Sequence, residues 1–280
     1  MRIDPVHALA LARLDLGDVL RSRWLVFCLL LYAALAVLFL LVGLRESTVL
    51  GFTGMGRVLL SMSHALVLLL PLLALSATAQ VINRAQDEGA LELLFSHPIT
   101  RDEYFAGVTL VRFGVLLVPF VGLMALVAAI GWIALDSVPA WGFLGRGLLV
   151  CSALIWAYTG CGLAVSTFVR NQAKAVMLLL GIWVASVALL DFLLIGVMLQ
   201  WRLNPQSIFV LAALNPVEAS RLALLSSAEP TLSVLGPVGF YLTHRVGSAS
   251  LLLLGVLWPA ALGTAGWWLA LRRFRRQDLT

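Results

Sequence analysis

The 280-residue chain is short of charge: Asp, Glu, Lys and Arg together make up 12% of it, about half the share of roughly 25% found in soluble domains. Lysine is almost absent, with Lys174 standing alone, and Ala173 precedes it where a phosphate-binding loop needs glycine. The chain is therefore not expected to hydrolyse ATP. It has no His-Glu-x-x-His and no Gly-x-Ser-x-Gly, which argues against a zinc protease or a serine hydrolase. Cysteine is scarce too. Cys28, Cys151 and Cys161 form no Cys-x-x-Cys, all fall in apolar runs, and read as small buried hydrophobes. His7, His64, His97 and His244 are each isolated, and Met55, Met62, Met177 and Met198 are scattered without paired spacing. No metal site is expected in this chain. The basic residues form no stripe interleaved with aromatics, so nucleic acid is not an expected partner.

What the chain does have is apolar length. Hydrophobic residues account for 61% of it and the mean hydropathy is +1.01, more than a soluble interior of this size can hide. An α-helix needs about 20 apolar residues to cross a bilayer. Six runs meet that need, at about 24–44, 58–82, 108–135, 145–169, 174–200 and 248–271. The expected fold is an all-α integral membrane protein with six transmembrane helices, forming one transmembrane domain over 1–280. The alternating ten-residue pattern of a β-barrel is missing. Orientation follows from the basic residues. Arg2, Arg13, Arg21, Arg23, Arg84, Arg101, Arg112, Arg170 and Lys174 share one side with the closing cluster Arg272, Arg273, Arg275 and Arg276. Both termini are therefore expected to be cytoplasmic, in a bacterial inner membrane, and the net charge of +5 is largely topology. No cleavable signal is expected, because a mixed charged stretch precedes the first span.

Four segments fall outside plain spans. Residues 5–23 gather Leu9, Ala12, Leu16, Val19 and Leu20 on one side and Arg13, Asp15, Asp18 and Arg21 on the other, a pattern suited to an N-terminal interfacial helix. Residues 84–106 read as two helical pieces hinged at Pro98. The first has an apolar face of Leu91, Leu94 and Phe95, and the second opens with the capping pair Thr100 and Glu103. Asp87, Glu88 and Glu92 put acid where an inner loop favours Arg and Lys, which suggests a surface for a basic partner. Residues 202–245 hold Asn204-Pro205 and Asn215-Pro216 around a seven-residue apolar stretch too short to span. They read as an outer re-entrant hairpin, with Asn215 capping a helix that starts at Pro216, followed by an exposed loop. The polar turn 170–174 adds a smaller inner contact. Asp191 is the only acid inside an expected span, either lining a path or hydrogen-bonded in the interior.

The run from Asp87 to Gly107 resembles the cytoplasmic coupling region of ABC type-2 transporter permeases. Its fixed points are Glu88-Gly89, Leu91-Glu92, Leu94, Pro98-Ile99-Thr100-Arg101, Glu103-Tyr104 and Gly107. Ala90 and Val108 depart from residues common there. The resemblance implies docking onto a separate cytoplasmic ATPase dimer, which would hold ATP and magnesium, with Asp87, Glu88, Gly89, Glu92, Pro98 and Arg101 making the coupling. It also implies a homodimeric permease, with the spans beginning at Trp24 and containing Gly181 and Ala185 as candidate dimer faces. Asp191, Asn204, Asn215 and Pro216 are then candidates for the translocation path or gate. Leu50-Gly51-Phe52-Thr53, Asp191 and the two Asn-Pro steps are similar to the subgroup that serves nitrous oxide reductase maturation. That subgroup implies a sulfur- or copper-related cargo and a periplasmic copper-site assembly protein, with Glu229, His244 and Arg245 as contacts. A generic exporter of a drug, lipid or other apolar solute, and a membrane scaffold without transport, remain alternatives.

Overall fold

The computed structural model describes residues 5–50, 54–135, 141–189, 196, 205–228, 232 and 236–277. Among them the regular structure is helical. The helices are α1 (Pro5–Leu20), α2 (Arg23–Leu50), α3 (Gly54–Thr78), α4 (Val81–Asp87), α5 (Ala90–Phe95), α6 (Arg101–Leu135) and α7 (Trp141–Phe168). They continue as α8 (Gln172–Val184), α9 (Pro205–Leu214), α10 (Pro216–Ala228), α11 (Gly236–Tyr241) and α12 (Ser248–Arg276). α8 runs on into a wider π-helical turn, Ala185–Leu189.

Among the described residues, four helical stretches are long and apolar enough to cross a membrane: Ala65–Asp87, Arg101–Ile130, Trp141–Phe168 and Ser248–Arg276. They correspond to the second, third, fourth and sixth expected spans. At the first and fifth, the qualifying apolar helical stretches are the shorter Arg23–Leu35 and Gln172–Ala188. The expected hairpin region contains α9 and α10, which meet at 117° and pass the same test only as a broken pair.

The helix ends follow local chemistry. Ser22 Oγ accepts from the backbone N–H of Leu25 at 3.3 Å and separates α1 from α2. Asn171 Oδ1 accepts from the N–H of Lys174 at 3.1 Å and starts α8. α7 is the central helix, with α12 packed along it through glycines. A Cβ at Gly263 would lie 2.6 Å from the Trp156 carbonyl oxygen, and one at Gly266 would lie 3.0 Å from that of Gly160. Such small residues let helix backbones approach closely where no hydrophobic effect separates protein from lipid. Indole N–H groups tie the helices across this apolar interior: Trp24 to Ser76 Oγ (3.1 Å), Trp183 to the Leu68 carbonyl (3.1 Å), and Trp258 to the Leu214 carbonyl (3.1 Å).

α1 packs along α6, but its apolar side is divided. Ala12 and Val19 are buried near Val111 and Val115, and Leu11 is buried as well. Leu9, Leu16 and Leu20, expected on the same side, are exposed. The helix thus presents one apolar stripe to the protein and another outward.

Candidate functional site

The stretch from α4 to the start of α6 forms an elbow at one end of the bundle. α4 continues the line of α3 and is anchored by α7: the Ile82 N–H donates to Ser166 Oγ at 2.7 Å, and Asn83 Nδ2 donates to the Val169 carbonyl at 3.3 Å. The first helical piece expected from sequence is in fact two, α4 and α5, because the chain turns at Gly89 with φ of +69°. A Cβ there would meet nothing within 4 Å, so only the left-handed backbone conformation selects glycine. Gly89→Ala is expected to lower stability by about 1 kcal/mol, read as a lower melting temperature in detergent, with Gly89→Asn less affected.

α5 turns Leu91 inward and leaves Glu92 and Leu93 outward, with Leu93 71% exposed. Asp87, Glu88, Ser96, His97 and Pro98 are exposed beside them. The expected capping box is present: the Thr100 N–H donates to Glu103 Oε2 at 2.9 Å and the Glu103 N–H to Thr100 Oγ1 at 3.3 Å. The outer face of the elbow is therefore a net acidic ridge around one exposed leucine, with exposed Arg84 paired to Glu88. The polar turn 170–174 adjoins it. Gln172 Nε2 donates to Asp87 Oδ2 at 2.8 Å, and a concavity of about 550 Å³ lies between Asp87 and Arg170–Ala173.

The inner face of the elbow is held by the far end of the chain. Arg101 Nη1 donates to the carbonyls of Phe274, Arg275 and Gln277, at 3.0, 3.0 and 2.7 Å. These are acceptors at a helix C-terminus that the helix itself leaves without partners. Asp102 accepts from Arg275 Nε at Oδ1 and from Arg275 Nη2 at Oδ2, both at 2.6 Å. Gln277 Nε2 donates to the Thr167 carbonyl at 2.8 Å, and Gln86 Nε2 reaches Gln277 Oε1 at 3.4 Å. Phe274 is fully buried, with its ring centroid 6.4, 6.0 and 5.7 Å from those of Phe95, Tyr104 and Phe105. Sequence reasoning chose Arg101 but missed Asp102, Arg275 and Gln277. The available signal was an Asp two residues after a capping Thr, with a basic cluster at the end of the last span.

A second link missed from sequence joins α1 to α6. Arg112 Nη2 and Asp15 Oδ1 are 2.6 Å apart, and both side chains are largely buried. Burial raises the Asp15 carboxyl above its ordinary value, outweighing the attraction of Arg112.

At the other end, Asn215 caps α10 as expected. Its Oδ1 accepts from the Val217 N–H at 3.0 Å, and its Nδ2 donates to the Ser186 carbonyl at 2.6 Å. Pro216 occupies the first turn, where no N–H is required. Gly255 of α12 lies against α10, its Cβ position 2.8 Å from the Ala219 carbonyl oxygen. Glu218 and Arg221 form a half-buried ion pair on α10. His244 and Arg245 are exposed, and the His244 ring lies on Phe240 with centroids 4.1 Å apart. The candidate residues Asp191, Asn204 and Glu229 lie outside the described residues. The structure thus places Asp87, Glu88, Gly89, Glu92 and Pro98 along the elbow, turns Arg101 to its inner side against the end of α12, and places Asn215 and Pro216 at the bend between α9 and α10.

Two comparisons bear on this arrangement. A family profile described as "ABC-2 family transporter protein" matches residues 9–279. The chain is also 30% identical over 255 residues to the "Probable ABC transporter permease protein NosY" of Stutzerimonas stutzeri, covering 89% of this chain and 92% of that protein. Its likeness to the protein of the same description from Pseudomonas aeruginosa is 30% over 271 residues, or 90% and 93% of the two chains.

Proposed function

The chain belongs to the ABC-2 transporter family as a membrane permease subunit rather than an enzyme, and from that premise we propose that it works in an ATP-driven exporter. The observation that carries the proposal is the exposed acidic ridge of Asp87, Glu88 and Glu92 around Leu93, on an elbow braced from within by Arg101 and Phe274. Such a surface suits a basic groove on a cytoplasmic ATPase dimer that holds the ATP and magnesium. In this reading six helices span the bacterial inner membrane with both termini cytoplasmic, and two copies pair to enclose a path. Nucleotide acts by population shift: the ATP-bound motor binds one arrangement of the permease pair better than the other, and that difference drives the switch.

The likeness to permeases named NosY supports a more particular reading. The cargo would be a sulfur- or copper-related species used to build the copper site of nitrous oxide reductase. The outer face, with Glu229, His244 and Arg245, would meet a periplasmic assembly protein. Asp191, Asn204, Asn215 and Pro216 would line or gate the path.

A pull-down with an ATPase assay tests the motor contact. The tagged chain is expected to retain an ABC ATPase. Glu88→Lys with Glu92→Lys is expected to reduce its recovery at least about tenfold, since like charges set against each other cost several kcal/mol. Full recovery with the double variant rejects this surface as the docking site. Recovery of no ATPase by the unaltered chain favours the scaffold alternative.

A further inference from the structure

Between α1, the α1–α2 turn and the elbow lies a cavity of about 900 Å³. Four guanidinium groups line it, those of Arg21, Arg23, Arg84 and Arg112, against the three carboxylates of Asp15, Asp18 and Glu88. Two pairs are already made: Arg112 with Asp15 at 2.6 Å, and Arg84 with Glu88 at 2.7 Å. Arg21 and Arg23 remain on an exposed turn with Asp18 as the only other carboxylate among the described residues of the lining, so those residues carry one positive charge in excess. The rest of the lining includes apolar Leu11, Val81, Leu94 and Val108. The outward stripe of α1, Leu9, Leu16 and Leu20, is also exposed.

We propose that this cavity binds the headgroup of a phospholipid carrying one net negative charge. One phosphodiester matches the single excess positive charge, and Arg21 and Arg23, which form no ion pair among the described residues, are the groups able to hold it. The apolar lining suits the first methylenes of the acyl chains. The acyl chains leave through the open side, toward the depth at which an interfacial helix seats its leucines. A soluble phosphate ester has the charge but gains nothing from the apolar lining. The membrane placement rests on the permease reading above, whereas the choice of ligand rests on the cavity. Because Arg84, Glu88 and Leu94 belong to the elbow, a bound lipid would join α1 to the coupling region.

Native mass spectrometry of the purified full chain with added lipid tests this directly. Retention of phosphatidylglycerol over phosphatidylcholine is expected. Arg21→Gln with Arg23→Gln should weaken that retention about thirtyfold, the sum of two juxtamembrane arginines. Gln80→Trp, which fills the cavity without altering charge, should weaken it as well, while Arg272→Gln with Arg276→Gln should not. Equal loss in that last variant would mean general surface attraction and would overturn the site. So would equal retention of both lipids, or full competition by glycerol 3-phosphate, which would reassign the cavity to a free phosphate ester. ATPase recovery in the pull-down is read separately, so failure of the motor contact leaves the lipid result interpretable.

Discussion

Gly160→Leu is expected to abolish recovery of folded protein, and Gly160→Ala to lower stability by about 3 kcal/mol or more. A Cβ at Gly160 would run into the carbonyl oxygen of Gly263, with the Gly263 carbonyl carbon and Cα at 2.8 and 2.9 Å. The obstacle is backbone on a facing helix, so no side chain can rotate away. Overpacking a core typically costs about 1–3 kcal/mol and exceeds that when neighbours cannot yield. α7 and α12 would have to part along their shared length, breaking the Trp156 Nε1 bond to Thr264 Oγ1 at 3.1 Å. The control lies on the same helix. Gly145 has nothing within 4 Å of its Cβ position, so Gly145→Ala should be neutral or gain up to about 1 kcal/mol in helix propensity. The monodisperse fraction after detergent extraction and the melting temperature check both. Equal behaviour of the two alanine variants would show that the α7–α12 contact is looser than the glycine geometry requires.

What the sequence made legible was local. The Thr100–Glu103 box and the Asn215-Pro216 helix start both appear where the spacing put them, because a cap depends on residues within one turn. The apolar runs located the four helices long enough to span, at the second, third, fourth and sixth expected positions, because bilayer thickness sets their length. Gly89 was chosen as a site residue, yet its left-handed turn was not foreseen, since nothing adjacent to a lone glycine reports the sign of φ. The long-range pairs were illegible for a different reason. Asp15 and Arg112 are 97 residues apart, and Asp102 and Arg275 are 173 apart. Each Arg is equally well accounted for as an orientation marker at a span end. The α1 face was half legible: helical spacing collects Leu9, Ala12, Leu16, Val19 and Leu20 on one side, but cannot say which of them meet α6 and which face outward.

On the proposed reading, Asp102→Arg is expected to uncouple the permease from an ATPase partner while leaving both folded. The substitution sets a guanidinium against Arg275 in place of the two-pronged pair at 2.6 Å. Arg275 is 43% exposed, so the direct stability loss should stay near 1 kcal/mol. The consequence for movement is larger, because this pair and Arg101 fix the C-terminal end of α12 to the elbow. α12 also continues to the bend between α9 and α10: Trp258 Nε1 donates to the Leu214 carbonyl at 3.1 Å, and Gly255 rests on Ala219. One helix thus touches both the inner face of the elbow and the bent pair. If the motor displaces the elbow, α12 is the element able to carry that displacement. In a cysteine-free background, and with two copies paired as proposed, spin labels at Val210 should report an ATP-dependent change in distance between them. Asp102→Arg should abolish that change with ATPase recovery intact, and Asp102→Arg with Arg275→Asp should restore it. Arg101→Ala, which removes the donor to three carbonyls at the α12 end, should also reduce it. A merely structural pair would lower the melting temperature without this selective loss and rescue. An unchanged distance response in Asp102→Arg would place the transmission elsewhere, through α7, which also contacts α4 by way of Ser166 and the Val169 carbonyl that follows it.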